Sequence, residues 1–261
     1  MEYLDFAIDL ARQAGGILNH YAPRDKQVQF KSRANLVTIA DKESEAFIIR
    51  RIQERYPGHS ILAEESGATQ APGAGHEHRW IIDPLDGTTN FAHGYPFYCV
   101  SIALEHQGEI VCGAVYDPHR DEMFTAERDG GSFLNGARLS VSVVDQLSHG
   151  LLTTGFPYNF RQHVDAAIGQ FRDFMMGSQA VRRGGSAALD LCYVAMGRCD
   201  GFWELELNPW DTAAGRLILE EAGGRVTDFK GNTFSIYAKE ILASNGKIHA
   251  EMLRVLTPEA S

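Results

Sequence analysis

Residues 80–91 read WIIDPLDGTTNF, and the rest of the chain is organised around this stretch. Trp80, Ile81 and Ile82 form an apolar run of strand type, too short for a helix. The strand is expected to stop at Asp83, because Pro84 removes a backbone donor and fixes φ. Asp86 follows three residues after Asp83, and Gly87, Thr88, Thr89 and Asn90 come next. The two carboxylates are hard oxygen ligands for a divalent cation, and the carbonyl of Leu85 can add a neutral oxygen. The amides of Gly87 and Thr88 can face an anion if a helix begins there. A cation beside an anion pocket is the layout for phosphoryl chemistry. Taken alone, Asp-Pro and Asp-Gly also read as an ordinary surface turn, so the flanks have to decide.

Upstream, residues 4–21 carry apolar side chains at helical spacing, and Pro23 ends that helix. Val28 and Phe30 alternate with polar residues, as do Val37 and Ile39, which predicts a short hairpin. A second helix is expected over 42–55. Asp41 before it reads as its N-cap or as a group beside a cation. Residues 60–63, SILA, form a short strand that ends in Glu64-Glu65-Ser66. A Gly- and Ala-rich loop, 67–79, follows, and its His76 and His78 read as solvated side chains rather than metal ligands. One acid pair therefore ends one strand and a second pair ends the next. If those strands are neighbours, Glu64, Asp83 and Asp86 converge at one edge.

Downstream, strands are expected over 97–105, 110–116 and 122–126, with hairpin turns at Asp129-Gly130-Gly131 and Asn135-Gly136. This is an antiparallel meander with helices on one side. A boundary near 144–150 divides an N-terminal lobe, 1–145, from a C-terminal α/β lobe, 146–261, within a single domain. The second lobe alternates a strand at 151–154, a helix at 164–175, a strand at 180–182, a helix at 187–196 and a strand at 200–205. Gly184-Gly185-Ser186 matches no phosphate-binding fingerprint and reads as a packing turn. Asn208-Pro209-Trp210-Asp211 caps a further helix that Gly223-Gly224 stops. Asp211 is a first-turn acid favoured by the helix dipole. The small run Ala213-Ala214-Gly215 suggests that this helix start packs tightly, for instance against the acidic loop.

The chain has 261 residues and a net charge of −10, from 24 Lys plus Arg against 34 Asp plus Glu. That length buries a sizeable core. The acidic balance argues against a broad nucleic-acid or anionic-membrane footprint. The cysteines, Cys99, Cys112, Cys192 and Cys199, form no C-x-x-C pair. Free thiols in a cytoplasmic protein are the expectation. No leader or apolar run of membrane length is present.

Three separated signatures, AEES around Glu64, WIIDPLDGTTNF and NPWDTAAG, together resemble the inositol monophosphatase family of magnesium-dependent, lithium-sensitive phosphatases. RRGGSAALDL and GRCDGFWELELNPWD look most like its bacterial members. The resemblance implies a layered αβαβα sandwich of α/β class, with two to three Mg²⁺ ions between its halves. Carried over, Glu64, Asp83 and the Leu85 carbonyl hold one ion, and Asp83, Asp86 and Asp211 a second. Glu64 lies near a weaker third ion and, with Thr88, positions the attacking water. Asp86, Gly87, Thr88, Ala187, Glu204 and Asp211 contact the substrate, and Arg182 aligns near its mouth. Residues 155–160 match none of the family's substrate-contacting loops. Glu204 favours a neutral polyol and disfavours a nearby second phosphate. The implied activity is Mg²⁺-dependent hydrolysis of inositol monophosphate or a similar small ester by a homodimer. Fructose-1,6-bisphosphate, histidinol phosphate and phosphoadenosine phosphate are alternative substrates. A second class of reading is a scaffold for a transcription or RNA-processing complex, a role linked to some bacterial relatives.

Overall fold

The computed structural model describes residues 2–22, 28–30, 36–69, 77–157 and 160–257. The first helix, α1 (Glu2–Tyr21), buries Ala7, Leu10, Ala11, Ala14 and Leu18, one stripe at helical spacing. The expected hairpin is the two-stranded antiparallel pair β1 (Gln29–Phe30) and β2 (Leu36–Val37). Ile39 does not continue it. It opens α2 (Ile39–Arg55), whose N-cap is Thr38, with Asp41 in the third helical position. The cap assignment to Asp41 is thus corrected: the Thr-x-x-Asp spacing forms a capping box, in which each residue satisfies a backbone amide of the other.

The next elements are β3 (Ser60–Ala63), β4 (Gly67–Thr69), β5 (His78–Asp86) and the short α3 (Thr88–His93). The meander β6 (Cys99–His106), β7 (Glu109–Asp117), β8 (Glu122–Glu127), β9 (Gly131–Leu134) and β10 (Ala137–Arg138) follows. Together with β3, β4 and β5 these strands form an eight-stranded sheet in the order β10-β9-β8-β7-β6-β5-β3-β4. Only β3 and β5 pair in parallel. Asn135 and Gly136 both have positive φ, at 48° and 83°, as a tight hairpin turn requires. His76 lies outside the described residues. His78 is not a loop residue: it pairs with His106 across the sheet and stacks on His59, with ring centroids 4.5 Å apart.

After a single turn of 3₁₀ helix (Leu147–His149) come β11 (Leu151–Thr154), α4 (Phe160–Gly177), β12 (Ala180–Arg182), α5 (Ala187–Ala195), β13 (Gly201–Leu205) and α6 (Pro209–Glu221). The chain continues through β14 (Arg225–Thr227), β15 (Glu240–Ser244) and α7 (His249–Leu256). The five strands of this half form a mixed sheet, β12-β11-β13-β15-β14.

Alternation along the strands decides the layers. Trp80 and Ile82 of β5 join one core with α1 and α2. Ile81 joins a different core with Leu189, Leu191, Leu217 and Ile218 of α5 and α6. The meander therefore carries helices on both faces, not one. On β13, Phe202 faces the α5/α6 core, while Trp203 packs with Phe174 of α4 and Met252 of α7. The order is helix, sheet, helix, sheet, helix: the αβαβα sandwich. Ala214 of α6 packs on Gly113 of β7, where an added Cβ would come within 2.9 Å of the Ala214 Cα. Gly215 sits similarly tightly against Leu191 of α5. The small residues of α6 thus seat the helix on the sheet and on α5, not on the acidic loop.

Candidate active site

The parallel pairing of β3 and β5 sets Ala63 opposite Ile82, so Glu64 and Asp83 come next to each other at the same end of that pairing. β5 does not stop at Asp83. Its register against β6 shifts between Asp83, opposite Ser101, and Asp86, opposite Cys99. Three steps on β5 match two on β6, which is a bulge, and it contains the one residue that cannot donate to the ladder, Pro84. On a regular strand, residues three apart point to opposite faces. The bulge re-aims the chain so that Asp83 and Asp86 act on one another. Gly87 then takes φ 96°, and a Cβ there would lie 2.9 Å from the Phe97 carbonyl oxygen. Only glycine fits that position.

Asp83, Asp86 and Asp211 each have an oxygen fixed by the chain. Asp83 Oδ1 accepts from the Leu85 amide at 3.0 Å. Asp86 Oδ2 accepts from the Ser186 hydroxyl at 2.7 Å and the Ala188 amide at 2.8 Å, which ties the start of α5 to the end of β5. Asp211 Oδ2 accepts from the Asn208 amide at 2.7 Å and closes the capping box of α6. Burial raises the pKa of Asp83 well above the carboxylate range, and the charges of Glu64, Asp86 and Asp211 raise it further. Burial likewise raises Asp211, with the Asp86 charge next. Asp86 is pushed up to about 6 by burial, against the hydrogen bonds from α5. Four acids, from the residue after β3, from β5 and from α6, thus share one corner, with Asp83 and Asp86 buried in it.

A group of mutually repelling carboxylates, two buried and two half-buried, is the kind of donor set that suits hard cations. Among the described residues no three His, Cys, Asp or Glu side chains are already closed around a single point. The chemistry of the set, oxygen-only and mutually repelling, fits hard cations, and one oxygen each of Asp83, Asp86 and Asp211 is already held by the chain. The Leu85 side chain is fully buried, and its carbonyl lies 3.1 Å from the Thr88 hydroxyl.

That hydroxyl has a second neighbour, which the sequence reading left as one of two options. Asp41 Oδ1 lies 3.1 Å from Thr88 Oγ1, while Asp41 Oδ2 accepts from the amide and hydroxyl of Thr38. Burial raises the Asp41 pKa to about 6 against these bonds. Asp41 is therefore both a capping-box acid and a neighbour of the Thr88 hydroxyl.

Beside the acids opens a cavity of about 370 Å³, lined among others by Asp86, Gly87, Ala187, Glu204 and Asp211. Gly155, Phe156 and Pro157 also line it, although residues 155–160 matched no known substrate loop; 158–159 lie outside the described residues. At Gly155 a Cβ would overlap the Glu204 carboxylate, so the glycine leaves that side chain its present place. Burial raises the Glu204 pKa well above its ordinary value, the Asp190 and Asp211 charges add to this, and Arg183 opposes it. Asp190 was missed from sequence. It is buried, its Oδ1 accepts from the Thr153 hydroxyl at 2.7 Å, and its Oδ2 has no hydrogen-bond partner among the described residues.

Arg182 does not reach this cavity. It is the last residue of β12, exposed, and bonded to the Val181 carbonyl. Arg183 lines the cavity instead, because the chain turns between them toward Gly184 and Gly185, the latter at φ 90°. That turn is a packing turn, as expected. A Cβ on Gly184 would meet the Phe97 ring at 2.5 Å, and Asn90 Nδ2 donates to the Gly184 carbonyl at 2.9 Å. It also forms a cavity wall. The four cysteines are free and buried, and no described helix is long and apolar enough to cross a membrane.

The model of the inositol monophosphatase family matches residues 1–260. An inositol-1-monophosphatase of Mesorhizobium japonicum is 42% identical over 97% of this chain and 95% of its own length. The Nus factor SuhB of Escherichia coli K12 is also 42% identical, over 99% and 97%. Among solved structures, the extragenic suppressor protein SuhB from Bartonella henselae superposes with a TM-score of 0.94 at 40% identity, over the whole of both chains. An inositol monophosphatase from Anabaena gives 0.88 at 44% identity, covering 98% of this chain and 95% of that one.

Proposed function

This chain belongs to the inositol monophosphatase family, and we propose that it hydrolyses the phosphate monoester of inositol monophosphate or of a similarly small polyol. The observation that carries the reading is the convergence of Glu64, Asp83, Asp86 and Asp211 beside a cavity of about 370 Å³. Glu64, Asp83, the Leu85 carbonyl, Asp86 and Asp211 would hold two to three Mg²⁺ ions. Bound there, the ions supply positive charge that offsets the phosphate dianion and acidifies the attacking water.

The chain's own groups do the rest. Gly87 and Thr88 present backbone amides to the phosphate. Glu64 and the Thr88 hydroxyl orient the water, and Thr88 Oγ1 can take a proton from that water as it gives its own to Asp41, whose pKa of about 6 suits a base near neutral pH. Glu204 accepts hydrogen bonds from substrate hydroxyls beside Ala187. Positioning and electrostatics carry the catalysis, with no covalent phospho-enzyme. We further propose a cytoplasmic homodimer.

The test is phosphate release across small phosphate esters with Mg²⁺, for wild type and Asp86→Asn. Turnover is expected to need Mg²⁺, to fall with excess Ca²⁺, which prefers longer bonds and more ligands, and to collapse in the variant. Full turnover in metal-free buffer would refute the reading. One observation favours a second role: relatives at this identity are named Nus factors. A transcription-complex partner is compatible with an intact site, and the net charge of −10 points to protein contacts rather than a broad nucleic-acid surface.

A further inference from the structure

Arg183 is the one cation among the described residues that line the cavity. Its backbone is fixed on either side. Gly184 is wedged against the Phe97 ring and held by Asn90, and the guanidinium lies over Gly185, where an added Cβ would come within 2.7 Å of Nη1. Among the described residues it forms no ion pair within 4 Å, whereas nearby Arg198 and Arg120 are paired with Glu122 and Asp117. Lys239, the other cation close by, is tied to the Leu207 carbonyl and to Asn208 Oδ1.

The surrounding charge makes this guanidinium decisive. Once the acids of the metal corner are offset by cations, Glu204 and Glu206 still line the cavity. A substrate with a second anionic group would meet the carboxyl groups of Glu204 and Glu206, which offer it no positive charge. A planar guanidinium on the same wall changes that, because it can hold a phosphate or carboxylate through two parallel hydrogen bonds. Glu204 alone implies rejection of a second phosphate; Glu204 with the Arg183 guanidinium on the same wall, whose charge acts on Glu204 and Asp190 without closing an ion pair among the described residues, does not.

We propose that Arg183 is a specificity-determining residue, which allows the pocket to accept small phosphate esters carrying a second anionic group besides the scissile phosphate. This rests on the phosphatase reading above.

The test uses a matched pair, fructose 1-phosphate and fructose 1,6-bisphosphate, with kcat/KM measured for wild type, Arg183→Gln, Arg183→Lys and Arg182→Gln. The preference for the bisphosphate should fall about tenfold in Arg183→Gln, the scale of one exposed charge-assisted contact. Arg183→Lys should restore part of it, and Arg182→Gln should leave it unchanged. An unchanged ratio in Arg183→Gln overturns the proposal. So does an equal loss on both esters, which would put Arg183 on the scissile phosphate instead. Titration calorimetry of the Ca²⁺-loaded protein gives the same ratio as affinities without turnover. A wild type that binds both esters and cleaves neither removes the phosphatase reading, and the ratio of affinities then judges Arg183 alone. A wild type that binds neither overturns both.

Discussion

Replacing Asp83 by asparagine separates stability from catalysis at the acidic corner. Asp83 is 2% exposed, and the nearby charges of Glu64, Asp86 and Asp211 all oppose its ionised form. The Asp83→Asn variant would keep the bond from the Leu85 amide, because the amide oxygen of the new side chain can still accept, and would lose only the charge. Without metal, removing one buried, repelled charge should stabilise the fold by about 1–3 kcal/mol. For a chain of this size each kcal/mol moves Tm by about 2–4 °C, so the metal-free variant should melt a few degrees above wild type. With Mg²⁺ the order reverses. At a hundredfold excess over Kd, binding adds about 2.7 kcal/mol, a rise of about 5–10 °C for wild type. The variant, short of a shared ligand, should show little of that rise and should lose phosphate release. Thermal melts with EDTA and with Mg²⁺, beside a phosphate-release assay, read all of these effects. A variant that melts at or below metal-free wild type and keeps the full Mg²⁺ rise would refute the idea of an acid cluster that needs cations.

Four further outcomes are expected. Asp41→Ala removes both the capping-box acceptor and the neighbour of Thr88 Oγ1; it should cost about 1 kcal/mol in denaturant melts and about 10²–10⁴ in kcat, and a wild-type kcat would exclude Asp41 as the base. Gly155→Ala forces the Glu204 carboxylate to move, since the new Cβ would overlap it, so KM for polyol esters should rise while the Mg²⁺-induced Tm shift persists. His249 is fully buried between Thr227 and Ser244, and its pKa is lowered from 6.5 to about 4, mainly by burial. The unfolded chain therefore takes up a proton before the native one. Stability from this group is complete above pH 6.5 and drains as pH falls toward 4, by about 3 kcal/mol in all; urea melts of His249→Gln should lose that part of the slope, and an unchanged slope counts against it. Lithium should inhibit uncompetitively, and Asp211→Asn should weaken both turnover and that inhibition; near-normal turnover with unchanged lithium sensitivity would remove Asp211 from the site.

Much of the acidic corner was legible because it is spelled by residue type at strand ends. Glu64, Asp83 and Asp86 could be placed together once 60–63 and 80–82 were read as neighbouring strands, and the pairing of β3 with β5 is what the structure has. What failed was local geometry. Val37 and Ile39 alternate like a strand, so the helix start was set three residues late, and Thr38 lost its role to Asp41. Arg182 and Arg183 are chemically equivalent in the sequence. Which one turns into the cavity is decided by where β12 ends and by the positive φ of Gly185. The final strands and helix, β14, β15 and α7, went unread.

Gly155 and Asp190 were invisible for another reason. Each acquires its meaning from a partner far along the chain, Gly155 from Glu204 and Asp190 from Thr153. Asp86 shows the same non-local logic in a residue that was found. The sequence offers it as a ligand, but its Oδ2 is also the anchor for Ser186 and Ala188 one hundred and more positions away. Truncating Asp86 would therefore loosen α5 as well as remove a charge, and lost activity would not say which effect mattered. An asparagine at that position can still accept both bonds through its carbonyl oxygen, which makes Asp86→Asn the informative variant for activity. Asp83, whose recorded bond is local, is the cleaner probe of the charge itself. The two substitutions look alike in the sequence, and only the hydrogen bonds across the two halves distinguish them.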